Sequence, residues 1–153
     1  MKYLIICFIM GIGAAGFGQT SSVDLVKKVP GFSHPESVIF DKEQQVFYVS
    51  NMADRKEKDG FISKVSATGN ILDTLWVTGL NDPKGLLIRN DRLFVTDVTF
   101  LVEMDRRTGK ILKRIPIEHA ESLNDITADE EGNLYISDLA GNSIYKMNLS
   151  GNI

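Results

Sequence analysis

A unit of about forty residues recurs from Pro35 to the end of this chain, and it limits the possible folds more than any other feature. The first copy runs through Pro35-Glu36-Ser37-Val38, Val46-Phe47-Tyr48-Val49-Ser50-Asn51, Gly60-Phe61-Ile62-Ser63-Lys64-Val65 and Thr68-Gly69-Asn70-Ile71-Leu72. The second has Pro83-Lys84-Gly85-Leu86, Arg92 to Asp97, Phe100 to Met104 and Thr108-Gly109-Lys110-Ile111-Leu112. The third has Leu123-Asn124-Asp125-Ile126, Asn133 to Asp138, Asn142 to Met147 and Ser150-Gly151-Asn152-Ile153. Gly69, Gly109 and Gly151 are spaced by 40 and 42 positions, Tyr48, Phe94 and Tyr135 by 46 and 41. The first interval is longer because of a polar insertion, Met52 to Asp59, whose charged residues predict an exposed loop.

Each copy holds short apolar runs separated by turn residues. Phe47-Tyr48-Val49 and Leu134-Tyr135-Ile136 carry the aromatic and β-branched side chains that suit a pleated, half-buried strand. Thr-Gly-Asn, Thr-Gly-Lys and Glu-Gly-Asn break the runs, and glycine there permits the backbone that tight turns need. No helical periodicity spans a helix-length window after Gln19. The prediction is an all-β chain of four-stranded units, which is a β-propeller with about three blades, near 32–79, 80–120 and 121–153. Rings usually need four to eight blades, and three would leave an apolar face at each end. The last unit stops where its fourth strand should begin, and Val23 to Val29 reads as an extra opening strand that would complete a final blade. The expectation is a chain truncated at its C-terminus; closure by oligomerisation is the alternative.

The first residues differ in kind. Met1-Lys2 is followed by an apolar run to Ala15 and by Gly16-Phe17-Gly18, the layout of a cleavable signal peptide over residues 1–18. Such a chain would be secreted or periplasmic and without a stable membrane anchor after cleavage. Cys7 is the one cysteine, so the mature chain would contain no disulfide. The net charge of −3 carries no basic footprint for nucleic acid.

In a propeller the start of each innermost strand faces the central channel. The repeat puts Glu36, Lys84 and Asn124 at those equivalent positions, ahead of Val38-Ile39-Phe40, Leu86-Leu87-Ile88 and Ile126-Thr127-Ala128. Polar groups set beside apolar strands need partners, which an ion or a substrate at the channel mouth would supply. Glu36 could instead bind backbone N–H groups, and Asn124-Asp125 could be an Asx-turn. Lys84 reads as a substrate-side charge or a solvated channel lysine, and its ammonium disfavours a cation directly beside it. Asp97 and Asp138 end equivalent strands and read as turn-capping residues. His34 and His119 lack metal-ligand spacing and read as surface residues; Trp76 reads as core.

Pro35-Glu36-Ser37-Val38-Ile39-Phe40-Asp41, with Val46 to Ser50, resembles the opening blade of the SMP-30/gluconolactonase/LRE-like family of six-bladed propellers. Leu123-Asn124-Asp125-Ile126-Thr127-Ala128-Asp129 resembles that family's third blade; Pro83-Lys84-Gly85 departs from the more usual Pro-Asn-Gly. The resemblance covers Phe32 to the end, with motifs shared in part with NHL and YncE-like propellers. It implies a metal-dependent lactone hydrolase, with Glu36 and Asn124 as metal ligands and Lys84, Asn124 and Asp125 beside a lactone or sugar-derived substrate. Oxygen donors favour Ca²⁺ over Zn²⁺, and the ion would polarise the lactone carbonyl. The family's catalytic Asp and a further Asn come from later blades, beyond residue 153, so the resemblance implies that this chain alone lacks two of the four groups. The reading from a different class is a non-catalytic propeller that binds a ligand or a protein partner.

Overall fold

The structure is a computed structural model that describes residues 23–148. The expected signal peptide and residues 149–153 lie outside the described part. Within it the chain forms strands and no helix. Blade 1 is a four-stranded antiparallel sheet, β1 (Pro35–Asp41), β2 (Val46–Asn51), β3 (Gly60–Ser66) and β4 (Ile71–Leu80). Blade 2 repeats it with β5 (Pro83–Arg89), β6 (Arg92–Asp97), β7 (Phe100–Asp105) and β8 (Ile111–Pro116). Blade 3 has β9 (Leu123–Ala128), β10 (Asn133–Asp138) and β11 (Ser143–Asn148). Within each blade every strand pairs with its sequence neighbour, so each connection inside a blade is a hairpin and each blade a meander. The polar insertion is the loop from β2 to β3.

Val23 to Val29 forms no strand. Among the described residues it pairs with no sheet edge and lies across blade 1, where Lys27 Nζ donates to the Thr68 carbonyl at 2.5 Å. A strand needs a ladder for its backbone groups, and an apolar-rich stretch alone does not supply one.

The core lies between blades. Tyr48, Ile62 and Val77 of blade 1 pack on Leu86, Leu93, Val95 and Met104 of blade 2. On the other side of blade 2, Phe94 and Leu101 pack on Leu123, Ile126 and Leu134 of blade 3. The period of two along each strand thus sends alternate side chains to opposite neighbours. Trp76 is half-buried; it stacks on Tyr48 with ring centroids 4.7 Å apart and planes at 24°.

Polar staples join the same seams. Arg106, in the turn after β7, is buried and reaches back to Asp41 Oδ1 at 3.3 Å and to the Glu43 carboxylate. Tyr48 Oη donates to the Arg106 carbonyl at 2.6 Å, and its phenol pKa is pushed up by burial and then by the Asp41 charge. At the second seam Arg89 donates to the Gly132 carbonyl at 2.5 Å.

The innermost strand of each blade is irregular at one place. Pro35 pairs with Asn51 and Val38 with Val49, so Glu36 and Ser37 face a single residue, Ser50. The same two-against-one bulge holds Lys84 and Gly85 opposite Thr96, and Asn124 and Asp125 opposite Ser137. A bulge leaves backbone groups outside the ladder. Side-chain hydroxyls take them up: Ser37 N–H donates to Ser50 Oγ at 3.0 Å and Asp125 N–H to Ser137 Oγ at 2.9 Å. In blade 2 the hydroxyl crosses the seam, with Thr96 Oγ1 donating to the Asn124 carbonyl at 2.5 Å.

Gly85 is where the bulges of blades 2 and 3 touch. A Cβ there would stand 2.6 Å from the Asn124 carbonyl oxygen and 2.8 Å from Asp125 Cα, both backbone atoms of a neighbouring strand. Gly85→Ala should therefore force the two blades apart at the channel side and cost about 1–3 kcal/mol, as overpacking does. Urea denaturation of the full chain checks this; the Gly85 φ lies outside the left-handed region, so the loss reports the close contact and not backbone strain.

Candidate channel mouth

The three bulges place the sequence-predicted positions at the same register of the three innermost strands. Glu36, Lys84 and Asn124 each occupy the second residue of an innermost strand, as the repeat register requires. Lys84 is buried, at 8% exposure, and not the solvated lysine that was one reading of the sequence. Its Nζ lies 3.3 Å from Asp82 Oδ2 and donates to Ser122 Oγ at 3.1 Å. The other Asp82 oxygen faces Arg55 Nε of the β2–β3 loop at 3.9 Å. Asp82 and Ser122, which motif reasoning passed over, therefore fix the ammonium.

Both partners are held by the strand-end acids. Asp97 Oδ1 accepts the backbone N–H of Asp82 at 2.7 Å and that of Asn81 at 2.9 Å. Asp138 accepts the N–H groups of Ser122 and Glu121, both at 2.8 Å, and that of Gly141 at 3.0 Å. These bonds favour the carboxylate, with the Glu121 N–H the largest cause, and they hold the Asp138 pKa below the ordinary value. Asn51 does the same for blade 1, its Oδ1 accepting Ser33 N–H at 3.0 Å. The capping reading of Asp97 and Asp138 thus describes their role, and the caps position the residues that hold Lys84.

Glu36 lies exposed at the mouth and makes no hydrogen bond among the described residues, so it is not tied to backbone N–H groups. Its pKa is raised, first because neighbouring protein displaces water from part of the carboxyl, then by the negative charge of Asp125; Lys84 pulls it down and Asp82 adds to the rise. Glu36, Asp125, Asp82 and Lys84 therefore share one electrostatic environment. Asn124 is half-buried, and its carboxamide has no hydrogen-bond partner among the described residues, nor does the Asp125 carboxylate cap a backbone N–H. The Asx-turn alternative does not describe this pair. Among the described residues no three His, Cys, Asp or Glu side chains converge as a ready metal cage. His34 is exposed, and His119, 87% exposed, lies 3.6 Å from Glu118 on the surface.

No protein-family model matches the chain, and no curated protein matches it. Solved structures do. A gluconolactonase from Xanthomonas campestris superposes with a TM-score of 0.59 at 20% identity, over 73% of this chain and 37% of its own. A chain of a nidogen–laminin complex superposes with a TM-score of 0.62 at 20% identity, over 78% of this chain and 45% of its own. The chain thus spans less than half the length of either. At this identity the likeness establishes the propeller fold and leaves function to the site.

The Glu36 environment sets a pH dependence. Because its folded pKa is raised, the folded state holds this proton more tightly than the unfolded chain. Stability is then unaffected below the ordinary value of 4.5, falls as pH rises from there through the raised value, and stays lowered above it. Glu36→Gln should be neutral at about pH 3 and stabilising at about pH 7, read as the melting temperature of the two proteins across pH.

Proposed function

We propose that the chain contributes the opening blades of an exported propeller hydrolase that opens lactones, or related esters of sugar-derived acids, at this channel mouth. One observation carries the reading. Three equivalent bulges carry a raised-pKa carboxylate, a buried ammonium and a carboxamide without a hydrogen-bond partner among the described residues, and the first two are electrostatically coupled. Those are the group types that acyl hydrolysis needs. Glu36, whose pKa is raised by partial desolvation and then by the Asp125 charge, offers its carboxylate to an ion or to an attacking water. Lys84 offers fixed positive charge where negative charge develops on the carbonyl oxygen, held by Asp82 and Ser122 with no reorganisation at the moment of reaction. Asn124 supplies a donor and an acceptor for a substrate hydroxyl. The shared fold with a gluconolactonase supports this reading.

A divalent ion fits the same groups in part. The mutual repulsion of Glu36, Asp125 and Asp82 is what a cation would relieve, and the free Asn124 oxygen is a suitable donor for Ca²⁺. Glu36 and Asn124 would hold it, with the remaining ligands supplied from outside the described residues. When bound, such an ion would polarise the carbonyl under attack.

The test uses the exported product from its own host. Lactone hydrolysis should be measurable, and Lys84→Met should lower kcat by about 10²–10³-fold, the usual cost of an oxyanion donor. Millimolar Ca²⁺ should raise the melting temperature, and Glu36→Gln should remove that rise. No turnover of any lactone, together with a melting temperature indifferent to Ca²⁺, would leave the non-catalytic binding propeller, which the fold shared with the nidogen–laminin complex chain supports.

A further inference from the structure

The β2–β3 connection departs from the repeat and ties together the entries of two blades. It has eight residues, Met52 to Asp59, where β6–β7 has two and β10–β11 has four. At its start Met52 N–H donates to the His34 carbonyl and Ala53 N–H to the Ser33 carbonyl, both at 3.2 Å, on the segment that leads into β1. At its end Lys58 N–H donates to Asn81 Oδ1 at 3.2 Å, on the connection that leads into β5. Gly60 fixes the exit: a Cβ there would stand 2.4 Å from Pro83 Cδ and 2.9 Å from the Asn81 carbonyl oxygen. Between these ties the backbone is strained, with Ala53, Arg55 and Lys58 at φ of 50°, 59° and 60°, a region that residues with a Cβ avoid.

Arg55 is exposed on this segment, and its guanidinium is loosely engaged. Nη2 donates to Met52 Sδ at 3.8 Å, a weak acceptor, and Nε lies 3.9 Å from Asp82 Oδ1. The second contact is an ion pair that stops about 1 Å beyond hydrogen-bond range. Asp82 Oδ1 is buried and accepts no hydrogen bond among the described residues. A buried acceptor in that state costs free energy until a donor reaches it, and Arg55 Nε faces it. The other oxygen of the same carboxylate holds Lys84 Nζ at 3.3 Å. Asp82 therefore stands between two cations. Asp82 and Lys84 alone sum to no net charge; with Arg55 drawn in, the trio is net positive and Lys84 is compensated less.

We propose that the β2–β3 insertion is a strap between the entries of blades 1 and 2, poised to close, and that Arg55 on Asp82 is its latch. Closing by about 1 Å gives the buried Asp82 oxygen its donor. The same movement divides the Asp82 carboxylate between Arg55 and Lys84, so the position of the strap sets how much positive charge Lys84 presents at the mouth. Opening returns Asp82 to Lys84 alone. The latch rests on the ties of the insertion and holds for whatever reaction or ligand the mouth serves.

Limited trypsin digestion of the native full chain reads the strap directly. Lys56 and Lys58 lie in it, and cleavage after them tracks its open population when closing is faster than cutting. Arg55→Met, which removes the charge and keeps an unbranched side chain, should speed that cleavage about two- to five-fold, the scale of one partly exposed ion pair, and leave the melting temperature unchanged. Asp82→Asn should speed it by a similar factor, and Arg55→Met made in that background should add nothing, because either change alone breaks the latch. Salt gives a reading that leaves Asp82 and its hold on Lys84 intact: raising NaCl from about 20 mM to about 1 M should speed cleavage of the wild type relative to Arg55→Met, since screening weakens the pair. Cleavage that Arg55→Met leaves unchanged overturns the proposal. An increase of the same factor with and without the Asp82 carboxylate overturns it too, because Arg55 then holds the segment through another contact.

Discussion

A four-stranded meander cannot bury both its faces by itself, and everything else in this structure follows from that. Each blade here is about one residue layer thick. Its alternate side chains point to opposite neighbours, so Tyr48 and Ile62 find cover only in blade 2, and Phe94 and Leu101 only in blade 3. The hydrophobic term is therefore distributed over seams and not concentrated in one centre. A seam made of apolar contacts alone would tolerate sliding, because the hydrophobic effect has no direction. Directional contacts fix it: Tyr48 to the Arg106 carbonyl, Arg106 to Asp41, Arg89 to the Gly132 carbonyl. Removing one member of the buried Arg106–Asp41 pair would strand the other, so the pair is better understood as setting blade angle than as a net source of stability.

The bulges convert this stacking into a possible site. Without them, alternation would send the second residue of each innermost strand toward a neighbouring blade. With one extra residue per strand, Glu36, Lys84 and Asn124 are turned out of the seam register while Val38, Leu86 and Ile126 return to it. The hydroxyls of Ser50, Thr96 and Ser137 are part of the same device, since each stands opposite a bulge and two of them accept a displaced N–H. The caps act one step further back. Asp97 and Asp138 fix the connections that carry Asp82 and Ser122, and those two fix Lys84.

The repeat made the blades legible because strand position, turn glycines and apolar alternation are all local properties. The channel-side positions Glu36, Lys84 and Asn124 were legible for the same reason, 12, 10 and 11 residues before Tyr48, Phe94 and Tyr135, whereas the bulges that turn them were not. The strand-end motif Val-Ser-Asn, Val-Thr-Asp and Ile-Ser-Asp also stood in the sequence, and its middle hydroxyl was the signal for the bulge partners. Partner choice was not legible. That Lys84 is bracketed by Asp82 and Ser122 depends on how blade 2 sits against blade 3, and nothing within one repeat encodes that distance. Val23 to Val29 shows the converse limit: its apolar residues suit a strand, yet a strand exists only where an edge receives it, and among the described residues this stretch pairs with none.

The composition of the mouth bears on what any closing partner must supply. Glu36, Asp125 and Asp82 against Lys84 leave an excess of negative charge in a space that neighbouring blades would make drier. Burying that excess without compensation would raise the Glu36 pKa further and convert it to the neutral acid. Whatever completes the ring must therefore bring positive charge to the mouth, tolerate a protonated Glu36, or admit a cation.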